Sequence, residues 1–355
     1  MILIFIEDFC KTNFIIDNTK TINKFVNMKS MNTNSKILIT GAAGFIASCM
    51  ASFLNQKGFE QLILCDDFSK TAKKENYKNI KYFQLVERNE IDEYLKTETN
   101  INYIIHFGAR TDTTEMDYAI HEKLNLVFSK KIWNYCALHQ IPLVYASSAA
   151  TYGNGEFGYD DDEALSFKLQ PLNPYGISKN EFYKWAIQQT HTPPYWYGLK
   201  FFNVYGPNEY HKNRMASVIF HAYHQILKNK KMILFRSHHP DFKDGEQKRD
   251  FIYVKDILKV TEWLLNSLPQ NGIYNLGTGQ ANTFLNLAHS LFHSMGITPN
   301  IEFIDTPTDI RDKYQYFTEA NMNKLKSVGY NEPFYSLNDG IDDYVKNYLL
   351  PNRYL

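Results

Sequence analysis

The chain has 355 residues, 44% of them hydrophobic and 21% charged, the composition of an ordinary folded protein with room for one large α/β domain and a smaller lobe. Its 38 basic and 38 acidic residues cancel, which argues against a nucleic-acid or acidic-membrane partner. The four cysteines, Cys10, Cys49, Cys65 and Cys136, form no CxxC pair, so reduced thiols in a cytoplasmic protein are expected rather than disulfides or a metal site.

The opening MILIFIEDFC has an apolar run of six residues with no basic residue before it, ended by Glu7 and Asp8. That pattern is not an export signal. No run elsewhere in the sequence approaches the ~20 apolar residues of a membrane span. Residues 1–34 read as a disordered extension, or as a segment upstream of a start at Met28 or Met31.

From Lys36 the pattern alternates strand and helix. KILIT (36–40), QLILCDD (61–67), IKYFQLV (80–86), NYIIHFGA (102–109), IPLVYASS (141–148) and YGLKFFNVYG (197–206) predict strands. Helical spacing occupies 44–58, 117–139 and 174–190. Continuously apolar strands alternating with helices predict a doubly wound parallel sheet, the Rossmann architecture. Further on, a helix is expected near 214–229, a strand at MILF (232–235), a polar stretch at 237–248 and a strand at RDFIYV (249–254). A helix from about 256 to 268, a strand within GIYNLGTG (272–279) and IEFID (301–305) follow. The expected division is a dinucleotide-binding domain of 35–206 plus 249–276, and a smaller α/β substrate lobe of 207–248 plus 277–355. DDDE (160–163) reads as a solvated loop.

ILITGAAGFIAS places Gly41 and Gly44 between the first strand and the first helix, with Ala47 where a third glycine often stands. Such a turn lets backbone N–H groups and the positive end of a helix approach a pyrophosphate. Asp66 and Asp67 end the second strand, where a carboxylate can bind the adenosine ribose and favour NAD. Lys70, Lys73, Lys74 and Arg88 could instead meet a 2′-phosphate, so charge alone leaves NADP and NAD open.

YGISK puts Tyr175 and Lys179 at i and i+4, on one helix face. An ammonium beside a phenol favours the phenolate, and such a tyrosine can exchange a proton with a sugar hydroxyl while a nicotinamide exchanges hydride. Tyr77 and Lys81 share the spacing without a partner. YASSAATYG (145–153) adds a serine hydroxyl at the end of a buried strand.

TGAAGFIAS, YASSAATYG, LNPYGISK, FFNVYGP and YNLGTG resemble the extended short-chain dehydrogenase/reductases that act on nucleotide sugars, over nearly all of residues 36–350. Within them LVYASSAATYGNG, NVYGPNEYHKNRMASVIFH, KRDFIYVKDI and KYQYFTEANMNKLKSVGY resemble the ADP-L-glycero-D-manno-heptose 6-epimerases. The resemblance implies an ADP-heptose substrate whose C6″ is inverted through a 6″-ketone with NADP. It implies a homo-oligomer, a pentamer, in bacterial lipopolysaccharide core assembly. It assigns Tyr175 and Lys212 as proton acceptors, Ser148 as hydroxyl donor and Lys179 as the lysine of the dyad. A loop lysine binding a phosphate is the other reading of Lys212. The implied cofactor contacts are Gly41, Gly44, Phe45, Ile46, Asp66, Asp67, Lys73, Arg88, Phe107, Gly108, Ala109, Arg110, Thr111, Asn125, Lys179, Val204 and Lys212. Those implied for substrate are Asn203, Arg214, His221, Phe235, Arg236, Ser237, His238, Arg249 and Tyr314.

Three departures from the family pattern stand out. Arg214 occupies a position commonly held by serine, Phe107 and Arg110 stand where Glu and Cys are frequent, and the link 236–248 is longer than usual. Ala149 and Ala150 follow Ser148, where a 4,6-dehydratase would carry an Asp-Glu pair to expel water. His211 and Lys212 are not expected in a 4-epimerase. A non-catalytic NADP-binding sensor would be marked by loss of the acid/base groups, which this chain retains.

Overall fold

The computed structural model describes residues 30–311 and 314–355. Most of the expected amino-terminal extension, with Cys10 and the possible start at Met28, lies outside the described residues. The apolar runs become strands: β1 Ile37–Thr40, β2 Leu62–Asp66, β3 Gln84–Glu87, β4 Tyr103–His106, β5 Leu143–Ser148, β6 Trp196–Phe201 and β7 Asn203–Tyr205. Then come β8 Met232–Phe235, β9 Lys248–Arg249, β10 Phe251–Tyr253, β11 Gly272–Leu276, β12 Asn282–Thr283 and β13 Ile301–Ile304. Among them β11-β6-β5-β4-β1-β2-β3, in that order, form one parallel sheet. The order reverses at β1, with Ile37 opposite Leu62 on one side and Tyr103 on the other. A crevice beyond the carboxyl ends of strands at such a reversal is where this architecture binds ligands.

Every residue of β1, β2, β4 and β11 is buried, as expected when helices cover both faces. Helices Phe45–Gln56 and Val254–Ser267 pack together in one apolar cluster, with Met50, Leu54, Ile257 and Leu264 buried. Phe128–His139 and Pro174–Ala186 pack together in another, around Ile132, Trp133 and Phe182. Fully burying each such side chain stabilises the fold by roughly 1.5–3 kcal/mol. Cys49, Cys65 and Cys136 are free and buried.

Three expectations are corrected. The run 80–86 forms a strand only from Gln84, leaving Tyr82 and Phe83 exposed. The run 197–206 breaks at Phe202: its N–H bonds Leu276 O at 3.1 Å, and the next N–H, of Asn203, bonds Asp250 O at 3.0 Å. The chain thereby leaves the main sheet, and β7 pairs with β10 in a separate two-stranded ladder. Of the later strands among the described residues, only β11 returns to the main sheet. The acidic run 160–163 is not simply solvated. Asp161 is buried and accepts Asn275 N–H at 2.7 Å, and Asp160 accepts from the Asn321 side chain at 2.9 Å. The run packs beneath the end of β11, where unpaired backbone donors need acceptors.

In the carboxyl-terminal part, β8 pairs with β13 and β9 with β12, alongside helices Val218–Asn229, Phe284–Ser294 and Leu337–Tyr344. Among the described residues no helix is long and apolar enough to cross a membrane.

Candidate active site

The turn after β1 is built by two glycines in contact. Gly41 has φ 71°, and a Cβ there would stand 2.6 Å from Gly108 Cα, so a side chain at Gly41 would have to displace the strand end at Gly108. Thr40 Oγ1 accepts Gly108 N–H at 3.1 Å, and Asp66 Oδ2 accepts Ala43 N–H at 2.9 Å. Beneath them His106 joins Thr40 Oγ1 at 2.7 Å and Ser129 Oγ at 2.9 Å. Burial first, and the Lys179 charge second, lower its pKa to about 3, so the ring is neutral.

A cavity of about 890 Å³ opens over this turn. Of the predicted cofactor residues, Gly41, Gly44, Phe45, Ile46, Asp66, Asp67, Lys73, Arg88, Phe107–Thr111 and Lys212 line it. The helix beginning at Phe45 has no side-chain cap at Gly44, and its positive end suits a phosphate. At the β2 end, Lys73 Nζ lies 2.9 Å from Asp66 Oδ1 and Arg88 Nη2 lies 3.5 Å from Asp67 Oδ2. Ser69, first among its neighbours, holds the Asp67 carboxyl below its usual range. Glycines, a helix amino end and paired charges at the second strand fit a dinucleotide.

Asn125, Lys179 and Val204 do not line this cavity. The helical run from Tyr118 widens into a π turn at Glu122–Val127, and Asn125 is buried there. Its amide bonds both backbone groups of Arg110, at 2.7 and 3.1 Å, and Ser178 Oγ at 3.0 Å. It shapes the wall from behind.

Ser148 and Tyr175 stand together outside that lining, with Lys179 one turn on from Tyr175 in the helix Pro174–Ala186. Gly176 allows it, since a Cβ there would meet Ala150 O at 2.8 Å, and Asn173 caps the helix by accepting Gly176 N–H at 2.9 Å. Ser148 stands close enough to the Tyr175 phenol to favour its charged form, and the Tyr175 ring lies 6.3 Å from that of His121. Lys179 Nζ donates to Ala146 O at 2.8 Å, and burial lowers its pKa to about 8. The expected depression of the tyrosine is not found. Burial raises the Tyr175 pKa and outweighs the opposing effect of the nearby Ser148, while the Lys179 ammonium is held by a strand carbonyl.

Lys212 sits in the single-turn helices of Tyr210–Met215. Burial lowers its pKa and the Glu209 carboxylate opposes that. Glu209 is itself buried, accepting from Ser217 Oγ at 2.7 Å, Tyr344 OH at 3.1 Å and Gly206 N–H at 3.3 Å. The backbone kinks at Asn213 (φ 48°), and beyond it Arg214 turns to the rim, 3.3 Å from Asp112 Oδ1 and bonded to Thr114 Oγ1. Arg110 holds the other Asp112 oxygen at 3.3 Å.

The remaining predicted substrate residues form two groups. Arg249 is buried with no carboxylate partner among the described residues. Its guanidinium lies 5.6 Å from the Tyr314 ring centre and donates to Lys248 O at 2.8 Å, and Phe235 meets Tyr314 edge-on at 6.1 Å. Arg236, Ser237 and His238 are engaged in their own loop, through Asp244 and Asp305, Asp244, and Tyr316 respectively. His221 is exposed, 3.4 Å from Arg214 O, and Asn203 is exposed at the start of β7. Sequence reasoning did not place Asp112, Leu124, Phe128 or Met215 in the cavity lining, and noted His211 beside Lys212 without assigning it a contact. Among the described residues no three His, Cys, Asp or Glu side chains converge on a point that could hold a metal.

The comparisons agree with this geometry. A model of the NAD dependent epimerase/dehydratase family matches residues 37–277. An ADP-L-glycero-D-manno-heptose-6-epimerase of Fusobacterium nucleatum is 43% identical over 325 residues, 88% of this chain and 98% of the relative. One from Nitratidesulfovibrio vulgaris is 44% identical over 315 residues, 88% and 97%. The crystal structure of the Helicobacter pylori ADP-L-glycero-D-manno-heptose-6-epimerase superposes with a TM-score of 0.74 at 26% identity, covering 89% of this chain and 96% of that one. With a family model over most of the chain and relatives above 40% identity along nearly their whole length, this chain belongs to the NAD dependent epimerase/dehydratase family and groups there with the ADP-L-glycero-D-manno-heptose-6-epimerases.

Proposed function

We propose that the protein inverts C6″ of ADP-D-glycero-D-manno-heptose to the L-glycero epimer through a transient 6″-ketone, using NADP. The observation that carries this reading is Lys212: a half-buried amine with a lowered pKa in the lining of the dinucleotide cavity, a second acid/base besides the Ser148–Tyr175 pair. When bound, the oxidised nicotinamide supplies a hydride acceptor and a positive charge. Tyr175 takes the hydroxyl proton as the C6″ hydrogen leaves with its electron pair, and Ser148 hydrogen-bonds the same oxygen. Once the ketone has turned its other face toward the nicotinamide, Lys212 would protonate that oxygen as hydride returns there, so the ketone is reduced and no net oxidation remains. Two acid/bases serve two faces of one carbon. Arg249, bonded to the Lys248 and Gln315 carbonyls but to no carboxylate among the described residues, and flanked by Tyr314, suits the substrate diphosphate.

For the cofactor, Lys70, Lys73 and Arg88 outnumber Asp66 and Asp67 at the adenosine end, and Asp66 is already engaged by Lys73 and Ala43 N–H. That balance favours a 2′-phosphate. The reading extends to a cytoplasmic homo-oligomer, a pentamer, serving lipopolysaccharide core assembly. The test is incubation of the purified protein with each ADP-heptose epimer and no added cofactor, following C6″ configuration, then release and identification of the bound nucleotide. Interconversion with NADP released is expected. No interconversion by protein that carries the nucleotide overturns it.

A further inference from the structure

Asn76, in the short helix Lys74–Tyr77, is buried where three parts of the chain meet. Its Nδ2 lies 2.9 Å from Ala43 O of the glycine turn and 3.1 Å from Asn208 O of the loop that carries Lys212. Both carbonyls are acceptors only, so they fix which end of the amide carries the hydrogens. The same Nδ2 lies 3.1 Å from Nδ1 of His211. The amide has two hydrogens for these three acceptors, and the Asn208 carbonyl also faces the His211 ring; because an amide nitrogen cannot accept, a proton on Nδ1 is still disfavoured and a neutral imidazole carries it on Nε2. Burial first, then the Lys73 and Lys212 charges, hold the His211 pKa at about 4, so the neutral form prevails near pH 7.

His211 lines the dinucleotide cavity with Gly44, Phe45 and Lys73, and through Asn76 it is tied to the glycine turn, where a pyrophosphate belongs. We propose that His211 is a neutral Nε2–H donor to the cofactor pyrophosphate, with its tautomer set by Asn76. The relay Ala43–Asn76–His211 then couples the phosphate turn to the loop bearing Lys212. This rests on the dinucleotide reading of the cavity and not on the identity of the sugar.

The test measures ligand affinity on nucleotide-stripped protein. His211→Ala is expected to weaken NAD+ and NADP+ by the same factor, about tenfold or about 1.4 kcal/mol, and to leave adenosine 2′-monophosphate, which has no pyrophosphate, unchanged. His211→Gln, which keeps a side-chain N–H donor, should stay within about threefold of the parent. In the parent protein, ring ¹⁵N shifts of His211, assigned by its loss in His211→Gln, should show Nε2 protonated and Nδ1 bare. An unchanged NAD+ affinity in His211→Ala overturns the proposal, as does an equal loss for the monophosphate or a proton on Nδ1. A parent protein that binds neither dinucleotide overturns the reading of the cavity itself.

Discussion

The Lys212 ammonium lies 5.6 Å from the centre of the Phe45 ring, so a lysine from the loop after β7 meets the first turn of the helix after β1. The cation–aromatic contact favours the charged amine while burial disfavours it, and the outcome is a lysine whose pKa is lowered. A long flexible side chain is thereby kept in the cavity wall.

Replacing that amine removes one of the two acid/base groups. Lys212→Met should lower the epimerisation rate by roughly 10²–10⁴-fold, the usual contribution of such a group, while the protein still retains its nucleotide. Single-turnover assays of C6″ configuration alongside nucleotide content check this. Undiminished turnover would leave Lys212 a binding residue only.

Tyr175→Phe should cost a similar factor with the fold intact, because the neighbouring Ser148 hydroxyl keeps its own partner, accepting Ala150 N–H at 3.1 Å. The phenol must be deprotonated to accept a proton, and burial raises its pKa. The kcat/KM of the parent should therefore rise with pH on the alkaline side, and that limb should vanish in the residual activity of the variant. A limb that persists there belongs to another group.

Arg88→Ala should weaken NADP+ by about tenfold relative to NAD+, since one charge-assisted contact to phosphate is worth about 1.4 kcal/mol or more. Equal weakening of both dinucleotides, measured by fluorescence titration, would place the 2′-phosphate elsewhere.

His106 makes stability depend on pH. Its pKa is about 3 in the folded protein against an ordinary 6.5, so the unfolded chain takes up the proton first as pH falls. The contribution is complete above about pH 6.5 and is lost as pH falls toward 3. Between pH 7 and pH 5 the loss should be about 2 kcal/mol. Urea unfolding of the parent and of His106→Gln at both pH values should show the variant spared that loss. Parallel losses would mean that His106 is not the group responsible.

Much of this protein could be read from contiguous residues. The glycine turn, the strand ends bearing Asp66 and Ser148, and the one-turn spacing of Tyr175 and Lys179 are local patterns, because hydrophobic periodicity and backbone geometry act over a few residues. Lys212 was found only through its resemblance to a family, and Asn76 gave no signal at all.

Packing decided the rest. Arg214 reaches Asp112 across 102 positions and Asn76 reaches Asn208 across 132, and neither pair is marked by spacing or composition. Whether a phenol's pKa goes up or down, whether an acidic run is solvated, and which strand β7 joins all depend on the groups that the whole fold brings alongside. Those energies depend on distances and burial, which are fixed only once the sheet has assembled.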